Sequence, residues 1–170
     1  MHVTDFREGN IYLDTNFIYH FLRPIPECKQ AIFGFFQQIK EGRINAYTCV
    51  NTFDELSYRL LLAAVKDKYG VNPIEFIRDQ KQVAMNAFYP DLVKVLIMLR
   101  SIPNMNILPL TTNELSRMIQ ELTSINLLPR DALHLAVMRN HGICFIASDD
   151  RDFDGIKSVE RIWMYNPPLA

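Results

Sequence analysis

Asp14, the neighbours Asp54 and Glu55, Asp131 and the acids of SDDRDFD (148–154) are the side chains whose types and placement could do chemistry together. Asp14 ends the apolar run IYL (11–13), and Phe17, Ile18, Phe21 and Leu22 follow it at helical spacing. Glu55 lies in FDEL (53–56) and Asp131 in PRDAL (129–133). Asp150 and Asp152 lie in SDDRDFD (148–154), directly after the apolar run ICFIA (143–147). Each has a plain structural explanation. Asp14 could simply cap a helix, Glu55 could sit on a solvated face, Asp131 could complement a helix dipole, and an Asp-rich loop could be a polar turn. Jointly they say more. Carboxylates gathered in one place repel one another and lose hydration, so they coexist only with a cation between them. An all-oxygen donor set, with no CxxC pair and no clustered His, suits Mg2+ or Mn2+ rather than zinc. Carboxylates holding such ions are the machinery of phosphoryl-transfer hydrolysis.

Convergence requires elements that bring distant residues to one edge. Short apolar runs at 10–14, 43–49, 106–110, 143–148 and 159–167 read as strands, and helical periodicity fills the intervals between them. Helices are expected over 15–22, over 27–42 with Gly42 as a stop, from about Thr52 to Gly70, and over 73–101 with a break at FYPD (88–91). Two more follow: TTNELSRMIQELTSIN, with a cap-like start, and PRDALHLAVMRNHG, with Pro129 in its first turn and Gly142 beyond its end. Strands alternating with helices predict an α/β fold with a mostly parallel sheet of four or five strands, covered by helices on both faces. In such sheets ligands bind beyond the carboxyl ends of the strands, where Asp14 and SDDRDFD are expected. No repeat and no linker is visible, so residues 1–170 read as one domain.

With 18 Lys plus Arg against 19 Asp plus Glu, the chain has a net charge of −1. A protein that grips nucleic acid by charge alone is usually basic, so any polyanionic substrate needs positive charge from elsewhere. Cys28, Cys49 and Cys144 are odd in number and widely spaced, which predicts buried free thiols rather than a disulfide framework. No apolar stretch approaches the roughly 20 residues of a membrane span. The start MHVTDFREGN has no secretory pattern, so a cytoplasmic location is expected.

In this order, IYLDTN, FDELSYRL, LLPRDALHLAVMRNHG and FIASDDRDF resemble the four acidic motifs of the PIN-domain family, and within it the VapC-type ribonuclease toxins. The resemblance spans roughly residues 10–165 and implies a three-layer α/β/α sandwich. It implies that Asp14, Glu55, Asp131 and Asp150 are the catalytic and metal-ligating carboxylates, with Asp152 as an auxiliary acid and Ser148 as the hydroxyl of the last motif. Asp149, one residue away, rivals Asp150 for the fourth position. The activity implied is divalent-metal-dependent hydrolysis of RNA phosphodiesters, leaving a 5′-phosphate and a 3′-hydroxyl. An antitoxin partner and a homodimer go with it. One departure is the helical stretch 66–104, longer than in compact toxins of this kind. It carries Lys66, Lys68, Arg78, Lys81, Lys94 and Arg100 against four acids, and would serve as a clip over substrate, a dimer surface or scaffold.

Thr15 and Asn16 are expected either to start the helix after Asp14 or to support its carboxylate. His134, one turn after Asp131, reads as a hydrogen-bonded core residue before a general base. Tyr12, Tyr19, Tyr58 and Phe153 could stack on bases, though core packing suits most of them better, and Trp163 is expected in the core. Two other function classes compete: a catalytically inactive PIN-like module that binds RNA or protein, and a structure-specific DNA nuclease. A phosphotransfer domain of the haloacid-dehalogenase kind needs a second Asp two residues after the first, where this chain has Asn16.

Overall fold

In the computed structural model, which describes residues 1–165, five parallel strands form one sheet: β1 (Gly9–Leu13), β2 (Ile44–Cys49), β3 (Met105–Leu108), β4 (Phe145–Ala147) and β5 (Glu160–Ile162). Their spatial order is β3-β2-β1-β4-β5. The direction of winding therefore reverses between β1 and β4, where a crevice opens at the carboxyl ends of the strands. Leu13 pairs with Ala147 across that junction, so the residues that follow each strand, Asp14 and Ser148, emerge side by side.

Seven α-helices connect the strands: α1 (Thr15–Leu22), α2 (Lys29–Lys40), α3 (Val50–Tyr69), α4 (Pro73–Asp79), α5 (Lys81–Arg100), α6 (Thr112–Ser124) and α7 (Pro129–Asn140). Alternation along β1 divides the interior in two. Ile11 and Leu13 face a core shared with Phe17, Phe35, Phe36, Leu56 and Leu99 from α1, α2, α3 and α5. Tyr12, between them, faces a second core with Leu135, Met138, Ile146 and Phe153, on the side of α6 and α7. This is the period-2 geometry of a strand buried on both faces.

Local signals fix where the helices start. Asp14 caps α1, Asn72 caps α4, and Thr111 with Glu114 forms a capping box at α6. Pro129 opens α7, where its missing N–H is not needed. Gly70 closes α3 at φ +69°, a conformation glycine adopts without the strain of a Cβ.

Four expectations need correction. The break in the helical stretch falls at Gln80, between α4 and α5, and α5 runs through Pro90. Pro90 costs a bond to the carbonyl four residues earlier, but both Pro90 and Asn86 are exposed, so water can serve that carbonyl. Trp163 is half-buried just beyond β5, paired with His2 in an isolated bridge and edge-on to its ring at 4.8 Å. Cys28 and Cys49 are buried, but Cys144 is exposed, because it precedes β4 at the open amino end of the sheet. The final strand, expected over 159–167, covers Glu160–Ile162 among the described residues, and Asn166 and Pro167 lie outside them.

Candidate active site

The turn after β1 delivers Asp14, which is 7% exposed. Its Oδ1 accepts from the Thr15 backbone N–H at 2.6 Å, the bond that starts α1. Its Oδ2 accepts from Ser148 Oγ at 2.7 Å, across the β1–β4 crevice. Ser148 is fully buried and accepts in turn from Asn16 Nδ2 (3.1 Å) and the Asp150 N–H (3.0 Å). One hydroxyl thus holds the two strand ends together and aims the loop after β4.

Glu55 enters from the second turn of α3. Its Oε2 accepts from Thr15 Oγ1 at 2.7 Å and its Oε1 from Asn51 Nδ2 at 2.8 Å, while Arg130 Nε stands 3.4 Å from Oε1. From α7 comes Asp131. Asp150 caps the short helical turn Arg151–Phe153, its Oδ1 accepting from the Asp152 N–H at 2.9 Å. Carboxylate oxygens of Asp131, Asp150 and Asp152 lie within 4.8 Å of one another. Asp149 turns elsewhere, its Oδ1 accepting from the Met164 and Tyr165 N–H groups at 2.8 Å each. The register of the loop therefore places Asp150 beside Asp131.

Below these carboxylates lies His134, 1% exposed, on α7. Its Nδ1 is 2.8 Å from the Tyr12 hydroxyl, and its Nε2 is 3.7 Å from Asp14 Oδ1 and 3.6 Å from Glu55 Oε2. His134 is a core residue, as the sequence suggests, yet its Nε2 faces the acids. Nothing near it in sequence signals this, because Tyr12 and Glu55 are far along the chain. Asn51 was legible in principle, four residues before Glu55 on one helix face.

Charge is unevenly settled among the acids. Burial works against the ionised Glu55, but the nearby His134 ring, the bond from Thr15 and the field of Arg130 outweigh it and hold its carboxyl down to about 2. Burial raises the Asp14 carboxyl, and the His134 and Ser148 contacts only partly offset that. Asp131 is pushed up to about 6, first by burial and then by the charges of Asp150, Asp14 and Asp152. Burial opposes a charge on His134, but Cys49, Glu55 and Asp14 hold its imidazolium up to about 10. One edge of the pocket is thus neutralised from within, while the edge formed by Asp131, Asp150 and Asp152 carries excess negative charge.

That excess, on oxygen donors alone, fits a hard divalent cation and not a thiolate- or imidazole-seeking one. The hydrogen-bonded oxygens of Asp14 and Glu55 each retain a second lone pair. The loop that carries Asp150 and Asp152 is fastened from behind: Arg161 on β5, 6% exposed, grips Asp154 through Nε and Nη2 (2.8 and 2.9 Å) and donates from Nη1 to the Ser148 carbonyl at 3.2 Å. Of the aromatic candidates for stacking, Tyr12 and Phe153 are buried, Tyr19 is half-buried under the Arg59 guanidinium, and Tyr58 is half-exposed on α3.

The family model described as the PIN domain matches residues 11–158. No curated protein matches the chain significantly. Among solved structures, the chain is similar to VapBC2 from Rickettsia felis bound to a DNA fragment from their promoter, with a TM-score of 0.53, 12% identity, and 91% of this chain and 98% of that one covered. It is similar to Mycobacterium tuberculosis VapC20, described as a sarcin–ricin loop cleaving toxin (TM-score 0.52, 16% identity, 86% and 95% covered). A toxin–antitoxin complex from Klebsiella pneumoniae gives a TM-score of 0.51 at 18% identity, with 88% and 95% covered. At such identities the likeness to these structures is one of fold.

Proposed function

This chain belongs to the PIN domain family, and on that premise we propose that it is a divalent-metal-dependent endoribonuclease, the toxin of a toxin–antitoxin pair. The observation that carries the proposal is the meeting of Asp131, Asp150 and Asp152 within 4.8 Å, next to Asp14 and Glu55, at the switch point of the sheet. Asp14, Glu55, Asp131 and Asp150 would hold the ion, with Asp152 at its exposed side. Mg2+ or Mn2+ bound there supplies a Lewis acid for a phosphodiester and lowers the pKa of water.

The chain's own groups do the rest. Ser148 and the Thr15 N–H fix both oxygens of Asp14, and Thr15 Oγ1 with Asn51 fixes both of Glu55, so neither carboxylate must reorganise when charge develops. Arg130, largely exposed beside Glu55, is placed to meet a substrate phosphate at the rim. In the reaction, a water oxygen bonds to phosphorus as the bond from phosphorus to O3′ breaks. The products are a 5′-phosphate and a 3′-hydroxyl.

The likeness to VapC20, a sarcin–ricin loop cleaving toxin, and to the Klebsiella toxin–antitoxin complex supports RNA as substrate and an antitoxin as partner. The proposal includes a symmetric homodimer, a single domain over 1–170 with 66–104 as its helical insertion, and a cytoplasmic site of action. No helix among the described residues is long and apolar enough to cross a membrane.

The test incubates purified protein with structured RNAs and with structured DNA, with Mn2+ or with EDTA, alongside Asp14→Asn. Cleavage of RNA that EDTA stops, and that Asp14→Asn lowers by at least a hundredfold while leaving the fold intact, is expected. Cleavage confined to DNA would replace the substrate class. RNA binding without cleavage would make this an inactive module, and full activity in Asp14→Asn would overturn the site.

A further inference from the structure

A second charged cavity lies at the opposite end of the sheet. It encloses about 310 Å3 and is lined by Arg117, Arg139, Gly142, Ile143, Cys144, Lys157 and Ser158, within the lower range of small-molecule sites. Arg139 lies in the last turn of α7, Cys144 leads into β4, and Lys157 and Ser158 lead into β5, so the cavity sits at the amino ends of these strands. Asp131 and Arg139 are eight residues apart on α7, roughly 12 Å along its axis.

Three cationic side chains line this cavity. The acid among them is Glu121, whose side chain is 3% exposed and is shared by Arg117 and Arg139. Arg117 Nε lies 3.1 Å from Glu121 Oε1 but out of line for a hydrogen bond, and this enclosed N–H has no acceptor among the described residues. Lys157 has no ion-pair partner among them either. The carboxyl end of α7 adds roughly half a negative charge, which still leaves the cavity positive. Ser158, held at φ 68°, adds a hydroxyl to the wall.

We propose that this cavity is an anion site that takes a phosphate group. Guanidinium forks match the oxygens of phosphate, and an ammonium and a hydroxyl complete the donor set, with the buried Glu121 paired to the arginines and Glu160 in the adjoining cavity beyond Ser158. The phosphate could be free, or part of a polynucleotide backbone running beyond the carboxylate cleft. Both present the same oxygens. The site stands apart from the nuclease reading, because none of its residues belongs to the acidic cluster and its test reads no cleavage.

Cys144 lines the cavity and is the exposed thiol among the described cysteines, so its alkylation by neutral N-ethylmaleimide reports occupancy. The experiment uses the full chain in EDTA at matched ionic strength, with inorganic phosphate in one arm and a six-nucleotide single-stranded RNA in the other. At least fivefold slowing of alkylation is expected, lost in Arg117→Gln/Lys157→Gln. Slowing by phosphate alone assigns a free anion, and slowing by RNA at far lower phosphate content assigns a backbone. If the double variant does not fold, Lys157→Gln alone should weaken the protection, and iodoacetate should lose rate relative to iodoacetamide at low salt. No slowing by either probe, or equal slowing in wild type and a folded variant, would overturn the proposal.

Discussion

Asp131 is where the tension between stability and chemistry is concentrated. Its carboxyl, pushed up to about 6 by burial and by Asp150, Asp14 and Asp152, is easier to protonate in the folded chain than in the unfolded one. Protonation therefore favours folding below the ordinary value near 4, and that contribution is lost as pH rises through 6. In EDTA, Asp131→Asn should melt higher than wild type at pH 7.5 and equal to it near pH 3.5. The difference should be about 1–2 kcal/mol, because solvent reaches one side of the group. Calorimetry at the two pH values checks this, and a variant less stable at pH 7.5 would contradict it. These acids were visible in sequence because each follows a strand or opens a helix. His134 shows the opposite case: its helix position was legible, but its neighbours Asp14 and Glu55 come from other elements, and no local pattern encodes that meeting.

The helices α6 and α7 are joined by a device with its own pH signature. Glu114 Oε2 accepts from the Thr111 N–H (2.8 Å) and Thr111 Oγ1 (2.6 Å), and Oε1 accepts from Asn140 Nδ2 at 2.9 Å, tying the start of α6 to the end of α7. Those bonds hold the Glu114 carboxyl down to about 2. Its contribution is therefore complete above the ordinary carboxyl value and fades as pH falls from about 4.5 through 2. Glu114→Gln should cost about 1–2 kcal/mol at neutral pH and flatten the acid limb of stability in that window, as urea melts at several pH values would show. The capping box was readable from Thr111 and Glu114 three residues apart. The break at Gln80 was not. Pro90 is the stronger punctuation in sequence, and only its exposure on the folded surface explains why α5 continues through it.

For the whole molecule, strands and helices followed from periodicity, but the order β3-β2-β1-β4-β5 did not, because nothing in residues 9–13 names 145–147 as a neighbour. That adjacency creates the crevice, and with it a gathering of carboxylates that the proposed cation would relieve. At a free Mn2+ concentration a hundred times its dissociation constant, the folded state should gain about 2.7 kcal/mol. For a chain of this size that is a rise of roughly 5–10 °C in melting temperature, and it should shrink sharply in Asp14→Asn. An unchanged melting curve would count against a metal site. Arg161 gives the sheet a less obvious influence on that site. By anchoring Asp154 and the Ser148 carbonyl together, an edge strand that meets no ion or substrate sets how far apart Asp150 and Asp152 can drift. In the proposed metal site, selectivity between a small, rigidly octahedral ion and a larger, more tolerant one would then be adjustable from β5, and Arg161→Lys, with every ligand intact, should shift the preference between Mg2+ and Mn2+ in melting titrations with each ion.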